Sequence, residues 1–357
     1  MGGSAIHLAQ SSNPAAFFEL LKQTFNLAVE SSGGTIDRTY RIGPSAVRFQ
    51  FAGPELIPHI LPALAHLESP ENRHNSLRIC LFDTHSTETQ MPPPPWTRDC
   101  YGPRGEIKGY NTRNFGVIYG PGTDILYALN REDSSAYYWV PHAAAIPYWE
   151  TSFPLRTMFH WWFRDQSCQP VHAGAVGTPE GGVLIGGRSG SGKSTATLAC
   201  LESDLLFAGD DYVLAETEPR PYVYSLYCTA KLERHHLHRL PHLEPLVTNA
   251  MRPEEEKALI YLSERYSEKL THGFPIHAIL LPRVTGLRDT RLVECGRAAS
   301  LKALAPTTVI HLQGAADQTM SKLAALARSV PSFYLDMGTD LTQIPTTIAK
   351  FLDEHGS

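Results

Sequence analysis

Residues 183–198, VLIGGRSGSGKSTATL, decide the fold of this 357-residue chain. Within them, Gly187–Ser194 satisfies the phosphate-binding pattern G-x-x-x-x-G-K-[ST]. The apolar run Val183–Ile185 predicts a buried strand before the loop, and a helix is expected from Ser194 onward. A strand, a glycine-rich loop and a helix in this order let backbone N–H groups close on a phosphate beside the helix N-terminus. The stretch therefore predicts a nucleotide-binding α/β domain.

The residues of the loop have separate expected roles. Lys193 is predicted to neutralise the β- and γ-phosphates of ATP, and the Ser194 hydroxyl to ligate Mg²⁺. Arg188 and Ser191 fill variable positions of the pattern, where solvent exposure is the ordinary outcome. The predicted nucleotide-binding residues are Gly187, Ser189, Gly190, Ser191, Gly192, Lys193, Ser194 and Thr195.

Two adjacent carboxylates follow the next apolar run. Residues 205–208 read as a strand and lead through Gly209 to Asp210 and Asp211. At the end of a strand, one carboxylate can hold Mg²⁺ while the other accepts a proton from an attacking hydroxyl. A surface turn with helix-capping carboxylates is the structural alternative.

A β-hairpin is predicted to lead into the phosphate loop. The turn-forming stretch 178–182 joins the run His172–Val176 to the strand that precedes the loop. Common P-loop folds enter the loop from a strand that has no such hairpin partner. His172 is expected within reach of the two aspartates, although a lone histidine is more often a structural side chain.

In this order, His172, the hairpin, the loop and the aspartate pair resemble the HPr kinase/phosphorylase family and its relative, ATP-dependent phosphoenolpyruvate carboxykinase. Both families show the pattern H…G-x-S-G-x-G-K-[ST]…D-D. The match covers residues 171–214 well and residues 215–357 in outline, and it does not extend to residues 1–165. The resemblance implies an HPr kinase-like P-loop domain that transfers phosphate from ATP with the help of Mg²⁺.

The resemblance also implies roles for single residues. Asp210 takes the role of the general base, assisted by His172, while Lys193 contacts the nucleotide phosphates. Ser194 and Asp211 take the metal-binding role. In the carboxykinases the histidine and one aspartate help to bind a second metal, so the division of roles between the aspartates and the histidine stays open.

The chain departs from true HPr kinases after the aspartate pair. Residues 232–247, LERHHLHRLPHLEPLV, stand where that family has a glycine-rich signature. Neither phosphorolysis nor the protein HPr as a substrate is therefore expected. The pattern is closer to the HPr-kinase-like proteins of peptide natural-product clusters. Some of these, the lasso peptide kinases, phosphorylate a serine of a precursor peptide.

We therefore expect an ATP-dependent serine kinase that acts on a peptide or protein, with a lasso peptide precursor as the first candidate. A small-molecule kinase is one alternative, and it would need a closed pocket over Asp210. A non-catalytic ATP sensor is the other, and it would keep its biological activity after the substitution Asp210→Asn. Some self-association is also expected, because HPr kinases are hexamers.

Two domains are expected from the chain length and from a change of pattern near residue 150. Residues 1–150 predict a mixed α+β, strand-rich domain, the natural candidate for recognising a peptide, and residues 151–357 the kinase domain. In the first domain we predict helices at 14–29 and 56–67, strands within 38–52 and at 76–83, 115–119, 125–129 and 136–140, and a long surface loop at 84–104. In the second we predict helices at 154–163, from 194, near 254–270 and at 317–329 and 343–354, with strands at 172–177, 183–186, 205–208, 276–284, 308–312 and 332–335.

Composition excludes several classes of protein. Hydrophobic residues make up 42% of the chain and charged residues 19%, which is typical of globular proteins. A net charge of −5 leads us to expect no nucleic-acid surface. No apolar run approaches the roughly 20 residues of a membrane span, and residues 1–13 lack a secretory pattern. We therefore expect a cytoplasmic protein without a membrane partner.

Weaker signals concern histidines, cysteines and two cations. The six cysteines are scattered and predicted to be reduced packing residues. Lys231 and Arg252 are candidates for a cation near the transferring phosphate, with solvated surface charge as the alternative. A polar loop is favoured over a zinc site because no cysteine or acidic residue stands at ligand spacing from the four histidines His235, His236, His238 and His242.

Overall fold

The computed structural model describes residues 13–69, 76–120, 123–251, 256–311 and 316–355. The described chain forms two compact units. The first is drawn from Met1–Thr39, Val47–His59 and Asn72–Ile146, and the second from Tyr40–Ala46, Ile60–Glu71 and Pro147–Ser357. The main segment of the second unit thus begins at Pro147, and two short segments of the N-terminal part also belong to it.

Helix α1, Pro14–Ser31, supplies much of the core of the first unit. The Asn13 side chain caps its first turn, and proline stands at the first helical position, where no N–H is needed. Its buried residues follow the helical period and pack with the sheet side chains. The strands of the six-stranded sheet, in the order β1-β2-β3-β6-β5-β4, are β1 Thr35–Ile42, β2 Ser45–Ala52, β3 Ser76–Asp83, β4 Phe115–Tyr119, β5 Leu126–Asn130 and β6 Ser135–Val140.

Two predictions for this part of the chain need correction. The region 84–104 is not simply a surface loop: it begins with the short helix α3, Thr84–Thr87, and Trp96 is buried. The Trp96 ring packs edge-on against Phe17 and Tyr110, with ring centroids 5.0 and 5.2 Å away. The predicted helix 56–67 is divided into the short helix α2, Ile57–Ile60, and a 3-10 helix, Pro62–Leu67.

A nine-stranded mixed sheet forms the centre of the second unit. Its strand order is β10-β8-β9-β15-β12-β11-β7, and β17 pairs with both β15 and β16. A separate two-stranded sheet contains β13 and β14. The strands are β7 Gln169–Val171, β8 Ala173–Gly177, β9 Gly182–Gly186, β10 Leu206–Gly209, β11 Val213–Glu216, β12 Tyr222–Ser225, β13 Thr229–Leu232, β14 Ala258–Tyr261, β15 Gly273–Val284, β16 Arg291–Cys295 and β17 Ser332–Met337.

Helices cover both faces of this sheet. On one face α6 and α9 pack over apolar side chains such as Ile185 and Leu280, and on the other α7 and α8 pack over Leu184 and Ile279. The alternation of neighbouring residues between the two faces explains why β9 and β15 read as continuous apolar runs. The helices are α4 Tyr148–Ser152, α5 Arg156–Phe163, α6 Lys193–Leu198, α7 Arg297–His311, α8 Ala316–Ser329 and α9 Gln343–His355.

The predicted hairpin before the phosphate loop is present. Strands β8 and β9 pair antiparallel, β9 ends at Gly186, and α6 begins at Lys193. Strands β9, β15 and β17 run parallel to one another. The carboxyl ends of these three strands therefore lie at one edge of the sheet, the edge that carries the phosphate loop.

Two predictions for the second unit are wrong. The segment 308–312 was expected to be a strand, but its described residues lie in α7, where Leu304 and Thr308 are buried one helical turn apart. The expected helix near 254–270 is instead strand β14, which pairs with β13, followed by two 3-10 helices; residues 252–255 lie outside the described ranges. Among the described helices, none combines the length and apolar character of a membrane span.

Candidate functional site

The loop Gly187–Gly192 depends on glycine at specific positions. Gly190 and Gly192 have φ angles of 78° and 94°, in the left-handed region that other residues rarely adopt. A Cβ on Gly192 would also collide with the Cε atom of Met337. The Ser191 hydroxyl is buried and has no hydrogen-bond partner among the described residues, so a buried polar group of the loop remains available for a ligand.

A close approach of strands brings the aspartate pair to the loop. Strand β10 pairs with β8, and Asp210 follows directly after β10. A Cβ on Gly174 of β8 would lie 3.0 Å from the carbonyl oxygen of Asp210 and would collide with the Thr197 hydroxyl of α6. Because residue 174 is glycine, the backbone at Asp210 and helix α6 can both pack closely against β8.

Three basic side chains surround Asp211. Its Oδ1 lies 2.6 Å from the Lys193 Nζ and 3.6 Å from the His172 Nε2. Its Oδ2 lies 3.9 Å from the Lys231 Nζ. Burial acts to raise the pKa of Asp211, but the charge of Lys193, the hydrogen bond from His172 and the charge of Lys231 hold it well below its ordinary value. Asp211 is therefore a carboxylate at neutral pH.

The pKa of Asp210 is shifted in the opposite direction from that of Asp211. It is 1% exposed, its Oδ2 accepts a 3.4 Å hydrogen bond from the Lys231 backbone N–H, and its Oδ1 has no hydrogen-bond partner among the described residues. Burial, followed by the negative charge of Asp211, raises the pKa of Asp210 to about 7, while Lys193 and the Ser194 side chain oppose the shift. The Asp210 carboxyl can therefore gain or lose a proton near neutral pH.

His172 lies beside this pair, between β7 and β8. Its backbone N–H donates to the Thr308 hydroxyl over 3.1 Å, and its ring centroid is 5.2 Å from that of Tyr212. Burial lowers the pKa of His172, as do the charges of Lys193 and Lys231, although the hydrogen bond to Asp211 acts in the other direction. The imidazole is therefore mainly neutral at pH 7 and orients Asp211 without adding a full charge.

Lys231, on β13, extends the site beyond the hairpin. Its ammonium lies 4.2 Å from the centroid of the Phe153 ring, and its side chain is 15% exposed, so the alternative of a solvated surface charge is wrong. Burial lowers the pKa of Lys231 to about 8, although the charge of Asp211 opposes the shift. The second candidate cation, Arg252, lies outside the described residues.

An aromatic and cationic flank of the site was not predicted from the sequence. The Arg156 guanidinium donates to the Tyr212 hydroxyl over 3.0 Å and lies 5.1 Å from the centroid of the same ring. The Phe153 ring packs edge-on against Tyr212 at 4.9 Å. The one available signal was that Tyr212 directly follows the aspartate pair, since Arg156 has no motif around it.

The predicted histidine cluster lies apart from this constellation. Its members lie on two successive 3-10 helices, Arg234–Arg239 and Pro241–Leu246. Within the described ranges, no three histidine, cysteine or acidic side chains come together in a way that could hold a metal ion. All six cysteines are free, and four of them are buried.

The residues at the loop fit a nucleotide phosphate and a magnesium ion. Carboxylate and hydroxyl oxygens are the ligands that Mg²⁺ prefers, and it commonly uses one or two carboxylates together with phosphate oxygens. Asp210 Oδ1 and the Ser191 hydroxyl are buried polar atoms without a protein partner among the described residues, and Lys193 supplies a buried cation. Of the predicted site residues, Lys193, Ser194, Asp210, Asp211 and His172 form one group.

Comparisons with known proteins find similarity among solved structures. No protein-family model matches the chain, and no curated protein was found to be similar to it. The chain is similar to the structure of the Hpr(Ser) kinase/phosphatase from Coxiella burnetii, with 12% sequence identity and a TM-score of 0.31. The similarity covers 53% of this chain and 99% of that chain. At this level of identity and TM-score, the similarity assigns no role to any residue.

Proposed function

We propose that this chain is an ATP- and Mg²⁺-dependent phosphotransferase that phosphorylates a serine hydroxyl of a peptide or protein. The observation that carries the proposal is the contrast between the two adjacent buried carboxyls at the phosphate loop. Asp211 is held as an anion beside Lys193, and Asp210 has a pKa of about 7. Two carboxyls whose pKa values are displaced in opposite directions are the arrangement expected for a metal ligand beside a general base.

The chain's own residues account for the steps of the transfer. Lys193 neutralises the β- and γ-phosphates, and Ser194 and Asp211 are the residues that would hold Mg²⁺. Bound there, Mg²⁺ would supply further neutralisation of the phosphate oxygens. Asp210 accepts the proton of the serine hydroxyl as the serine oxygen bonds to the γ-phosphorus and the bond to the leaving ADP breaks. The products are phosphoserine and ADP, and the proton remains on the Asp210 carboxyl.

His172 and Lys231 complete the proposed mechanism. His172 is a positioning residue, since its neutral ring lies against Asp211 and Tyr212. Lys231 places a second cation on the Asp211 carboxylate, opposite Lys193. Two lysines beside one carboxylate supply more positive charge than that carboxylate neutralises, and the surplus favours the phosphate oxygens.

The acceptor that we propose first is a lasso peptide precursor. The support for this choice is the resemblance of residues 171–214 to the HPr kinase family, together with the replacement of that family's glycine-rich signature by residues 232–247, a pattern closer to the HPr-kinase-like proteins of peptide natural-product clusters. Recognition of the peptide by residues 1–150 and self-association of the chain belong to the same proposal. A small-molecule acceptor and a non-catalytic ATP sensor are the alternatives that the experiment below must separate.

The test is phosphate transfer from γ-labelled ATP, with Mg²⁺, into a peptide-enriched extract of the source cell, followed by mass spectrometry. We expect labelled phosphoserine with the wild-type chain and a loss of about 100-fold or more in rate with Asp210→Asn, because the proton acceptor is removed. Asp204→Asn, at an exposed aspartate on the approach to the same strand, is the matched control and should keep the wild-type rate.

Three other outcomes decide between the alternatives. Labelling of small metabolites without labelled peptides would favour the small-molecule kinase. ATP binding without any labelled product would favour the sensor. Equal labelling by the wild-type chain and Asp210→Asn would refute the assignment of Asp210 as the base while leaving phosphoryl transfer intact.

A further inference from the structure

The two sides of the phosphate loop differ in chemistry. In the strand order β10-β8-β9-β15-β17, the aspartate pair follows β10 on one side of the loop strand β9, and β15 and β17 end on the other side. Lys193 is drawn towards the aspartates by its 2.6 Å contact with Asp211. The γ-phosphate end of a nucleotide therefore belongs on the aspartate side, and the nucleoside end must leave the loop towards the ends of β15 and β17.

That second side carries exposed apolar side chains. Val284 ends β15 and is 65% exposed, and Leu287 follows it in the next loop and is 60% exposed. Val284 is continuous with the phosphate loop, since its Cγ2 would lie 3.6 Å from a Cβ on Gly192. The buried Met337 of β17 borders the same glycine. We call Val284 and Leu287, supported by Met337, the apolar platform.

The loop that carries the platform is fixed by hydrogen bonds to the chain after β17. The Thr285 hydroxyl donates to the Met337 carbonyl over 3.0 Å and accepts from the Leu287 N–H over 3.2 Å. The Leu287 carbonyl accepts from the Thr339 N–H over 2.8 Å, and the Gly338 N–H donates to the Thr290 hydroxyl over 3.0 Å. The exposed Leu287 side chain is thus presented by a well-anchored loop, which lowers the entropy cost of binding against it.

We propose that the apolar platform binds the purine base of the nucleotide whose phosphates occupy loop 187–194. This inference rests on the proposed function and adds the subsite for the base. Aliphatic side chains can cover the apolar face of a purine ring, as in other mostly apolar ligand sites.

The platform also sets the expected base specificity. The platform side chains Val284, Leu287 and Met337 offer no N–H or O–H donor, and the hydroxyls of Thr285 and Thr290 are already engaged in the hydrogen bonds that hold the loop. The platform therefore recognises the flat apolar face of the base rather than the hydrogen-bonding groups of its edge. ATP and GTP should bind with similar affinity, because purines share that face.

The experiment measures dissociation constants for ATP, GTP and inorganic tripolyphosphate, all with Mg²⁺, by calorimetry on the full chain. In Leu287→Ala we expect ATP and GTP to bind about five- to tenfold more weakly, because apolar contact area is lost, while tripolyphosphate, which has no base, is unchanged. Leu27→Ala is the matched control: Leu27 is 57% exposed on α1, and the substitution should change none of the three constants.

The outcomes separate this inference from the proposed function. Equal weakening of ATP and tripolyphosphate, or no change in either, would overturn the base subsite while phosphoryl transfer still stands. A wild-type chain that binds tripolyphosphate as tightly as ATP would overturn it too, because the base would then add nothing. If the wild-type chain binds none of the three ligands, the proposed function fails and the subsite with it.

Discussion

The substitution Asp210→Asn should lower the rate of phosphate transfer about 100-fold or more and at the same time stabilise the fold at neutral and alkaline pH. Burial and the charge of Asp211 raise the pKa of Asp210 from 3.8 to about 7 in the folded chain. A carboxyl with a raised pKa favours folding below its unfolded pKa, and that contribution is lost as the pH rises through the folded pKa. The wild-type chain therefore loses stability between about pH 4 and pH 8 through this group, and the asparagine variant does not.

The size of the effect follows from the shift. At about 1.4 kcal/mol per pKa unit, a rise from 3.8 to about 7 corresponds to about 4 kcal/mol, the upper bound for the gain of Asp210→Asn at pH 8. Asp210 is 1% exposed, so solvent screens little of this energy. The expected increase in unfolding temperature at pH 8 is about 5–10 °C, and the increase should shrink steadily towards pH 4.

Thermal unfolding at pH 4.5, 6 and 8, followed by circular dichroism, measures the effect on the chain without nucleotide. Asp211→Asn is the isosteric control, and its expected change in stability has the opposite sign. The substitution removes the partner of the buried Lys193 ammonium and should destabilise the fold by about 3–5 kcal/mol at pH 8. The reasoning is refuted if Asp210→Asn is less stable than the wild-type chain at pH 8, or if its advantage does not depend on pH.

Three further predictions concern other parts of the second unit. Lys231→Met should lower the initial rate of phosphate transfer at pH 7.5 at least about tenfold and remove the fall in rate above pH 8 that loss of the ammonium proton causes in the wild-type chain. Gly192→Ala should weaken ATP binding in calorimetry and lower the unfolding temperature, since alanine at a φ of 94° costs about 1–2 kcal/mol and the Met337 Cε must also move away from the added Cβ. Lys322→Met should destabilise the chain by about 2–4 kcal/mol in urea unfolding, because the three N–H groups of its ammonium lie within hydrogen-bond distance of four backbone carbonyl oxygens within residues 163–168. The same substitution should leave the dissociation constant for ATP unchanged.

Local sequence patterns predicted several strands that read as short, largely apolar runs. The strands at 76–83 and 115–119 were predicted with the bounds that the structure shows. The strand predicted at 308–312 is wrong: Thr308, Val309 and Ile310 are β-branched and favour a strand, but they belong to α7, in which Leu304, Ala305 and Thr308 are buried. Tertiary packing overrides the intrinsic propensity of these residues.

The sequence predicted the part of the candidate site that lies on one continuous stretch of chain. His172, Lys193 and the aspartate pair lie within a single run of strand, hairpin, loop, helix and strand, so their convergence follows from local topology. Arg156 and Lys231 come from α5 and β13, elements that approach the aspartates through long-range packing. No spacing in the sequence encodes that approach. Arg156 was therefore not predicted, and for Lys231 a solvated surface charge stayed an open alternative.

The contrast between the two aspartates is a property of position rather than of residue type. Asp211 faces two lysines and a histidine, and its negative charge is one of the two main reasons why its neighbour retains a proton. A phosphate that draws Lys193 away would leave Asp211 with an unbalanced charge, which raises its affinity for a divalent cation. The titration of Asp210 is coupled to the same exchange, because the apparent pKa values belong to the pair. If the proposed function holds, the occupancy of the phosphate loop would therefore control both the metal affinity of Asp211 and the basicity of Asp210.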